Sequence, residues 1–227
     1  MNGPLRLVIF DVDGTLVDSQ GDIIAAMTQA FASVGIEMPA RKAVLATVGL
    51  SLDVIFPRLV PQGTVDQHLL MAEAYKSAYM DLRAQAGVRQ SSPLYPGALE
   101  TLRKLHAVPD ILLGVATGKS KRGLDKLIEG HGLEGLFVTQ QVADFHPSKP
   151  HPAMVLQALS DTGVAAADTV MVGDTSFDMD MATSAGVHGI GVSWGYHPVA
   201  DLTAARRVIE QFDDLPAALN DIWSVPA

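Results

Sequence analysis

The sequence has no cysteine. Disulfides, thiolate catalysis and zinc sites with cysteine ligands are therefore excluded. Basic residues are also scarce: 16 Lys and Arg stand against 25 Asp and Glu, a net charge of −9. A nucleic-acid partner needs a basic face to neutralise its phosphates, and no Lys/Arg cluster supplies one. Long apolar runs are missing too. The apolar run Leu7–Phe10 meets Asp11 at once, which is too short for a signal-peptide core or a membrane span. No internal repeat and no low-complexity tract interrupts the chain. A cytoplasmic protein that serves neither nucleic acid nor membrane is expected; its expected state, which these absences do not decide, is monomer or homodimer.

What is present is core-forming material. Hydrophobic residues make up 48% of 227 positions, enough for one sizeable domain or a core domain with a small insertion. Leu5–Phe10 is a short β-branched run that stops at Asp11-Val12-Asp13-Gly14, and reads as a buried strand ending in a turn. From Asp18 to about Arg89 the pattern is helical. Ile23, Met27, Ala30, Phe31 and Val34 recur at helical spacing, as do Leu69, Ala72, Tyr75, Tyr79 and Leu82. Arg41–Leu59 between them is mostly helical, with breaks expected at Gly49 and Pro57.

After Ser91-Ser92-Pro93, strands and helices alternate. Strands are expected at Ile111–Ala116, Leu136–Val142, Thr169–Gly173 and Gly189–Trp194, with a short edge strand at Val208–Ile209. Helices are expected from Pro96-Gly97 through His106, then at Lys121–His131, Pro152–Thr162, Phe177–Ala185 and Asp214–Ile222. Such alternation predicts an α/β fold: a Rossmann-like parallel sheet core with helices on both faces and an inserted α-helical cap domain. The core domain would comprise residues 1–17 and 90–227, and the cap residues 18–89.

Polar motifs fall at or near the carboxyl ends of these strands, where open parallel sheets place their sites. Asp11 and Asp13 are two apart in extended chain and project to one side. One carboxylate can attack phosphorus and the other can move protons. A calcium loop or a helix-capping turn competes with that reading, but Gly14 is misplaced for the loop. Asp174 and Asp178 follow Thr169–Gly173. Packed beside Asp11 and Asp13 they would need a cation, and oxygen-only donors favour magnesium. Alternatively, Asp178 merely decorates the first turn of its helix. Thr117-Gly118 could hold a phosphate ahead of the Lys121–His131 helix, unless Thr117 or Ser120 simply caps it. Lys149, in a proline-flanked loop, could neutralise an attacking carboxylate and a phosphoryl group, or be a solvated surface charge. His151 and His197 read as loop or capping residues, and Asp180 as surface.

Together the stretches DVDGTLVDS (11–19), ATGKS (116–120), SKPHPAM (148–154) and GDTSFDMDMA (173–182) resemble the haloacid dehalogenase superfamily, within it the phosphoglycolate-phosphatase group. The resemblance spans nearly the whole chain. It implies that Asp11 is nucleophile and magnesium ligand, and that Asp13 is general acid/base with its carbonyl on the metal. It implies that Thr117 and the Gly118 amide bind the phosphoryl group and that Lys149 orders nucleophile and phosphate. Asp174 would ligate magnesium, and Asp178 would do so directly or through water. The presence of Asp13 departs from relatives that cleave carbon–halogen or carbon–phosphorus bonds. The stretch Thr47–Leu52, matched to the cap loop facing the site, lacks the basic residues of sugar-phosphate mutases.

The expected function is therefore magnesium-dependent hydrolysis of a small phosphorylated metabolite through an aspartyl phosphate. Alternatives are a pyrophosphatase, nucleotidase or sugar-phosphate phosphatase or mutase of the same superfamily, or a non-catalytic binding module. Ser51, Arg58, Lys76 and Arg83 are the expected cap contacts.

Overall fold

The computed structural model describes residues 3–224. The first strand, β1 (Arg6–Phe10), leads into a tight turn and then into five helices with no strand among them. These are α1 (Gln20–Ala32), α2 (Arg41–Leu45), α3 (Leu52–Leu59), α4 (Val65–Ala86) and α5 (Val88–Ser91). Thereafter helix and strand alternate: α6 (Ala98–His106), β2 (Ile111–Thr117), α7 (Lys121–His131), β3 (Thr139–Val142), α8 (Ala153–Thr162), β4 (Thr169–Gly173), α9 (Ser176–Ser184), β5 (His188–Val192), β6 (Arg207–Ile209) and α10 (Leu215–Ser224).

The six strands form one parallel sheet in the order β3-β2-β1-β4-β5-β6. The central strand β1 is apolar on both faces because both are covered. Val8 and Phe10 join Leu102 and Leu105 of α6, Leu124 and Leu127 of α7, and Leu219 and Ile222 of α10. Leu7 and Ile9 face the other way, with Met154 and Ala158 of α8 and Met181 and Ala182 of α9. This is the α/β architecture expected from the alternation. The connections run outward from β1 in opposite directions, so a crevice opens between the ends of β1 and β4, the usual ligand position in such sheets.

The helical block has its own core. Ile23, Met27 and Phe31 of α1 pack with Val44, Ile55, Phe56 and Met71. Two adjacent chain segments join it to the sheet: Asp18 N–H donates to the Pro93 carbonyl (2.9 Å) and Tyr95 N–H to that of Leu16 (2.9 Å). Among the described residues no helix is long and apolar enough to cross a membrane.

Local expectations fail where a partner or a lone proline decides. Pro57 does not break its helix; α3 continues through it to Leu59. Proline removes one backbone donor there, and the carbonyl four residues earlier belongs to exposed Asp53, which water can satisfy. The strand expected from Leu136 begins only at Thr139, the first residue aligned with β2. The strand expected at Gly189–Trp194 runs from His188 to Val192.

Candidate active site

Asp11 follows β1 directly, and its N–H still donates to the Val172 carbonyl of β4 (2.9 Å). The chain then turns at Gly14, where φ is +87°. A side chain at that position would collide with the Asp174 carboxylate, so the turn admits only glycine. Asp174 follows β4, and Asp178 lies in the first turn of α9. The three carboxylates of Asp11, Asp174 and Asp178 each bring one oxygen within 4.8 Å of the others.

Lys149 reaches this cluster from the loop before α8. Its Nζ lies 2.8 Å from Asp11 Oδ1 and 2.7 Å from Asp178 Oδ1. All four side chains are sealed from solvent. The alternative of Lys149 as a solvated surface charge is thereby overturned. The capping alternative for Asp178 holds alongside its place in the cluster. Its Oδ2 accepts from Thr175 N–H (3.0 Å) and Thr175 Oγ (2.7 Å), while Oδ1 faces Lys149. Asp174 accepts from Thr15 Oγ (2.9 Å) and Tyr196 N–H (2.8 Å). Asp11 Oδ2 is buried and has no hydrogen-bond partner among the described residues.

Three carboxylates share one ammonium, which leaves a surplus of negative charge in a dry site. Burial is the largest cause that pushes Asp11 up to about 7, against the pull of Lys149; Asp178 and Asp13 add to the rise. Burial, with Asp178 and Asp11, also raises Asp174 well above the usual carboxylate range. Burial disfavours the Lys149 ammonium, yet Asp11 and Asp178 outweigh it and raise its pKa. A divalent cation would relieve this surplus. The free oxygen on Asp11 and an all-oxygen donor set fit a hard ion such as magnesium.

Asp13 stands on the far side of the turn. It accepts from Ser19 Oγ and pairs with Lys119 Nζ at 2.7 Å. Thr117 ends β2, and its hydroxyl accepts from Lys119 N–H (3.2 Å). Ser120, not Thr117, caps α7 by accepting from Gly123 N–H (3.1 Å). Gly118 lies under the loop before α3: a Cβ there would stand 2.6 Å from the Gly49 carbonyl oxygen. That loop also touches the site at Ser51, whose N–H donates to Ser148 Oγ (2.9 Å). His197 ties block to sheet, accepting from Ser176 N–H (3.3 Å) and donating to the Ala46 carbonyl (3.2 Å). His151 accepts from Ala153 N–H (3.2 Å) at the start of α8, and Asp180 is exposed.

The four expected cap contacts separate. Ser51 is buried with an unpartnered hydroxyl, and Arg83 is half-buried at the seam with the sheet domain. Lys76 instead points to solvent and pairs with Glu73 (2.9 Å). Arg58 is exposed, with its guanidinium over the Phe177 ring. Sequence reasoning missed Lys119, Thr15, Ser19 and Tyr196. The first three lie within the motif stretches, so their proximity to the aspartates was a usable signal. Tyr196 follows β5 and carried none.

Fold and site together define an α/β protein with a buried acidic centre at its switch point. The sequence model described as haloacid dehalogenase-like hydrolase matches residues 8–192. The chain belongs to that family. A protein named probable phosphatase IndB from Dickeya dadantii is 36% identical, over 94% of this chain and 93% of its own. A phosphoglycolate phosphatase from Aliivibrio fischeri is 32% identical, over 95% and 97%. A crystal structure of a hydrolase from Pseudomonas syringae superposes with a TM-score of 0.84 at 26% identity, covering 96% of this chain and all of that one.

Proposed function

We propose that the protein is a magnesium-dependent phosphatase of the phosphoglycolate-phosphatase group, acting on a small phosphorylated metabolite. The observation that carries this is the Asp11 carboxylate: buried, held by Lys149 at one oxygen and free at the other, beside two further carboxylates. In the first step Asp11 attacks phosphorus in line, the ester P–O bond breaks, and Asp13 gives its proton to the leaving oxygen. In the second, Asp13 takes a proton from water as that water attacks phosphorus, and the bond to Asp11 breaks to release phosphate. Thr117 and the Gly118 amide hold the phosphoryl oxygens, and Lys149 holds Asp11 and balances charge. Asp11, the Asp13 carbonyl, Asp174 and Asp178 would hold magnesium, which when bound supplies positive charge at the phosphoryl group.

Residues 18–89 serve as the cap. Solvent has almost no access to Asp11 or Lys149 in this arrangement, so a substrate enters only when the loop over Gly118 lifts. The loop residues Thr47–Leu52 offer no cation to a second phosphate, which favours hydrolysis over a mutase reaction. Phosphate release by the purified protein tests the reading, with p-nitrophenyl phosphate, phosphoglycolate, pyrophosphate, nucleotides and hexose phosphates as substrates. Release should require magnesium and stop on chelation. No release from any of them with magnesium present would overturn it.

A further inference from the structure

The loop after β5 presses on the segment after β1 at three points. Trp194 Nε1 donates to the Thr15 carbonyl (3.1 Å). Gly195 passes so close to Asp174 that a Cβ there would collide with the Asp174 side chain, and the approach requires glycine. Tyr196 then sends its N–H to Asp174 (2.8 Å), and its Oη accepts from Ser19 N–H (3.0 Å).

Counting protons orients the hydroxyls of this group. Asp13 as a carboxylate only accepts, so Ser19 gives its one hydroxyl proton to Asp13 Oδ1. Ser19 Oγ and Tyr196 Oη are 3.2 Å apart, and Tyr196 is therefore the donor between them. Tyr196, Ser19 and Asp13 Oδ1 form one directed chain, and Lys119 Nζ adds a second donor to the same oxygen at 2.7 Å. Among the described residues no donor reaches Asp13 Oδ2. The proton that Asp13 carries as an acid belongs on Oδ2, because a proton on Oδ1 would displace Ser19 or Lys119.

We propose that Tyr196 is a positioning residue for proton transfer, acting through Ser19 to hold Asp13 with Oδ2 turned to the leaving oxygen. This rests on the phosphatase reading above. Without the phenol, the Ser19 hydroxyl loses the donor that fixes its orientation, and the Ser19 N–H loses its acceptor. The hydroxyl is then free to rotate away from Asp13, and the carboxyl to turn about its Cβ–Cγ bond. A misplaced acid costs most where the departing oxygen needs its proton most. Tyr196 holds Asp174 by its backbone N–H, which a change of side chain leaves in place.

The test compares kcat/KM, with magnesium, for alkyl esters (phosphoglycolate, nucleoside monophosphates and hexose phosphates) and for p-nitrophenyl phosphate, whose phenolate departs with little protonation. This constant covers the steps up to departure of the leaving group, where Asp13 acts as acid. Tyr196→Phe should lower the alkyl-to-nitrophenyl ratio about tenfold, a part of what a placed general acid is worth. Ser19→Ala should lower it by a similar factor, and the double variant no further than Ser19→Ala alone, because both act along one chain. An equal fall for both ester types, as a merely structural role would give, overturns the inference. So does a double variant in which the two losses multiply. Should Tyr196→Phe fail to fold, Ser19→Ala keeps the test: Tyr196 acts only through that hydroxyl, and an unmoved ratio overturns the inference. Release from p-nitrophenyl phosphate or pyrophosphate but from no alkyl ester also overturns it, and the phosphatase reading stands in each of these cases. No release from any of these substrates fells that reading and the inference with it.

Discussion

The Lys149 ammonium touches the Asp11 carboxylate at 2.8 Å, and both side chains are sealed from water. Lys149 also spans to Asp178, so it is the positive charge directly paired within a cluster of three acids. Replacing it by methionine leaves those acids without a counter-charge. Lys149→Met should cost about 3–5 kcal/mol of stability in the absence of magnesium. Urea unfolding measures this, and a midpoint equal to wild type would contradict the assigned pairing.

Asp11→Asn tests the nucleophile. An amide cannot form the acyl phosphate, so turnover of p-nitrophenyl phosphate should fall at least about a thousandfold. The fold should persist and melt no lower without magnesium, because one carboxylate with a burial penalty has been removed. Retained turnover would exclude Asp11 as the attacking group.

Asp174→Asn keeps one acceptor for the Tyr196 N–H, turns its amide NH2 toward the Thr15 hydroxyl as a donor, and deletes a negative charge. The magnesium concentration for half-maximal rate should rise roughly tenfold or more, since even indirect supports of a metal are worth that much. A titration that overlays wild type removes Asp174 from the metal site.

The cluster also predicts a pH dependence. Asp11 in the fold has its pKa raised to about 7 from a usual 3.8, mainly by burial. The stability this contributes is fully present below 3.8 and is lost as pH rises through about 7. Buried His131 and His197, whose pKa values are lowered by burial, act in the opposite sense. The difference made by magnesium isolates the carboxylates. Magnesium should raise the melting temperature more at about pH 8 than at about pH 5, because it binds the deprotonated acids. Equal increments at both would show that the cation does not bind this cluster.

Gly118→Ala tests closure. The added carbon would meet the Gly49 and Leu50 carbonyl oxygens of the loop above it, at 2.6 and 2.9 Å. These are backbone atoms, so the loop must lift. Hydrogen exchange over residues 46–51 should accelerate and kcat/KM for a small ester should drop by about tenfold or more. Exchange identical to wild type would mean that the loop tolerates the contact.

Much of the site was visible in the sequence because its chemistry sits at strand ends. β1 and β4 are short apolar runs that stop at an aspartate, and such an ending is readable without coordinates. The face of α4 that turns toward the sheet domain was not readable. Over its 22 residues only Met71 is buried, so polarity does not mark an inner side, and Lys76 and Arg83 looked alike until one proved to face solvent. The start of β3 was equally hidden. It is set by its alignment with Gly114 of β2, a pairing between distant residues rather than a local preference.

By itself the sequence determined the parallel α/β scheme, the helical insertion and the residue types that could carry phosphate chemistry. Those follow from periodicity and from the chemistry of single side chains, both local properties. Only the tertiary structure decided that Lys149 bridges Asp11 and Asp178, that Lys119 rests on Asp13, and that Arg83 keeps two donors unpaired at the seam. Such pairings depend on strand order and on how the helical block lies over the sheet, and burial then fixes the strength of each charge interaction.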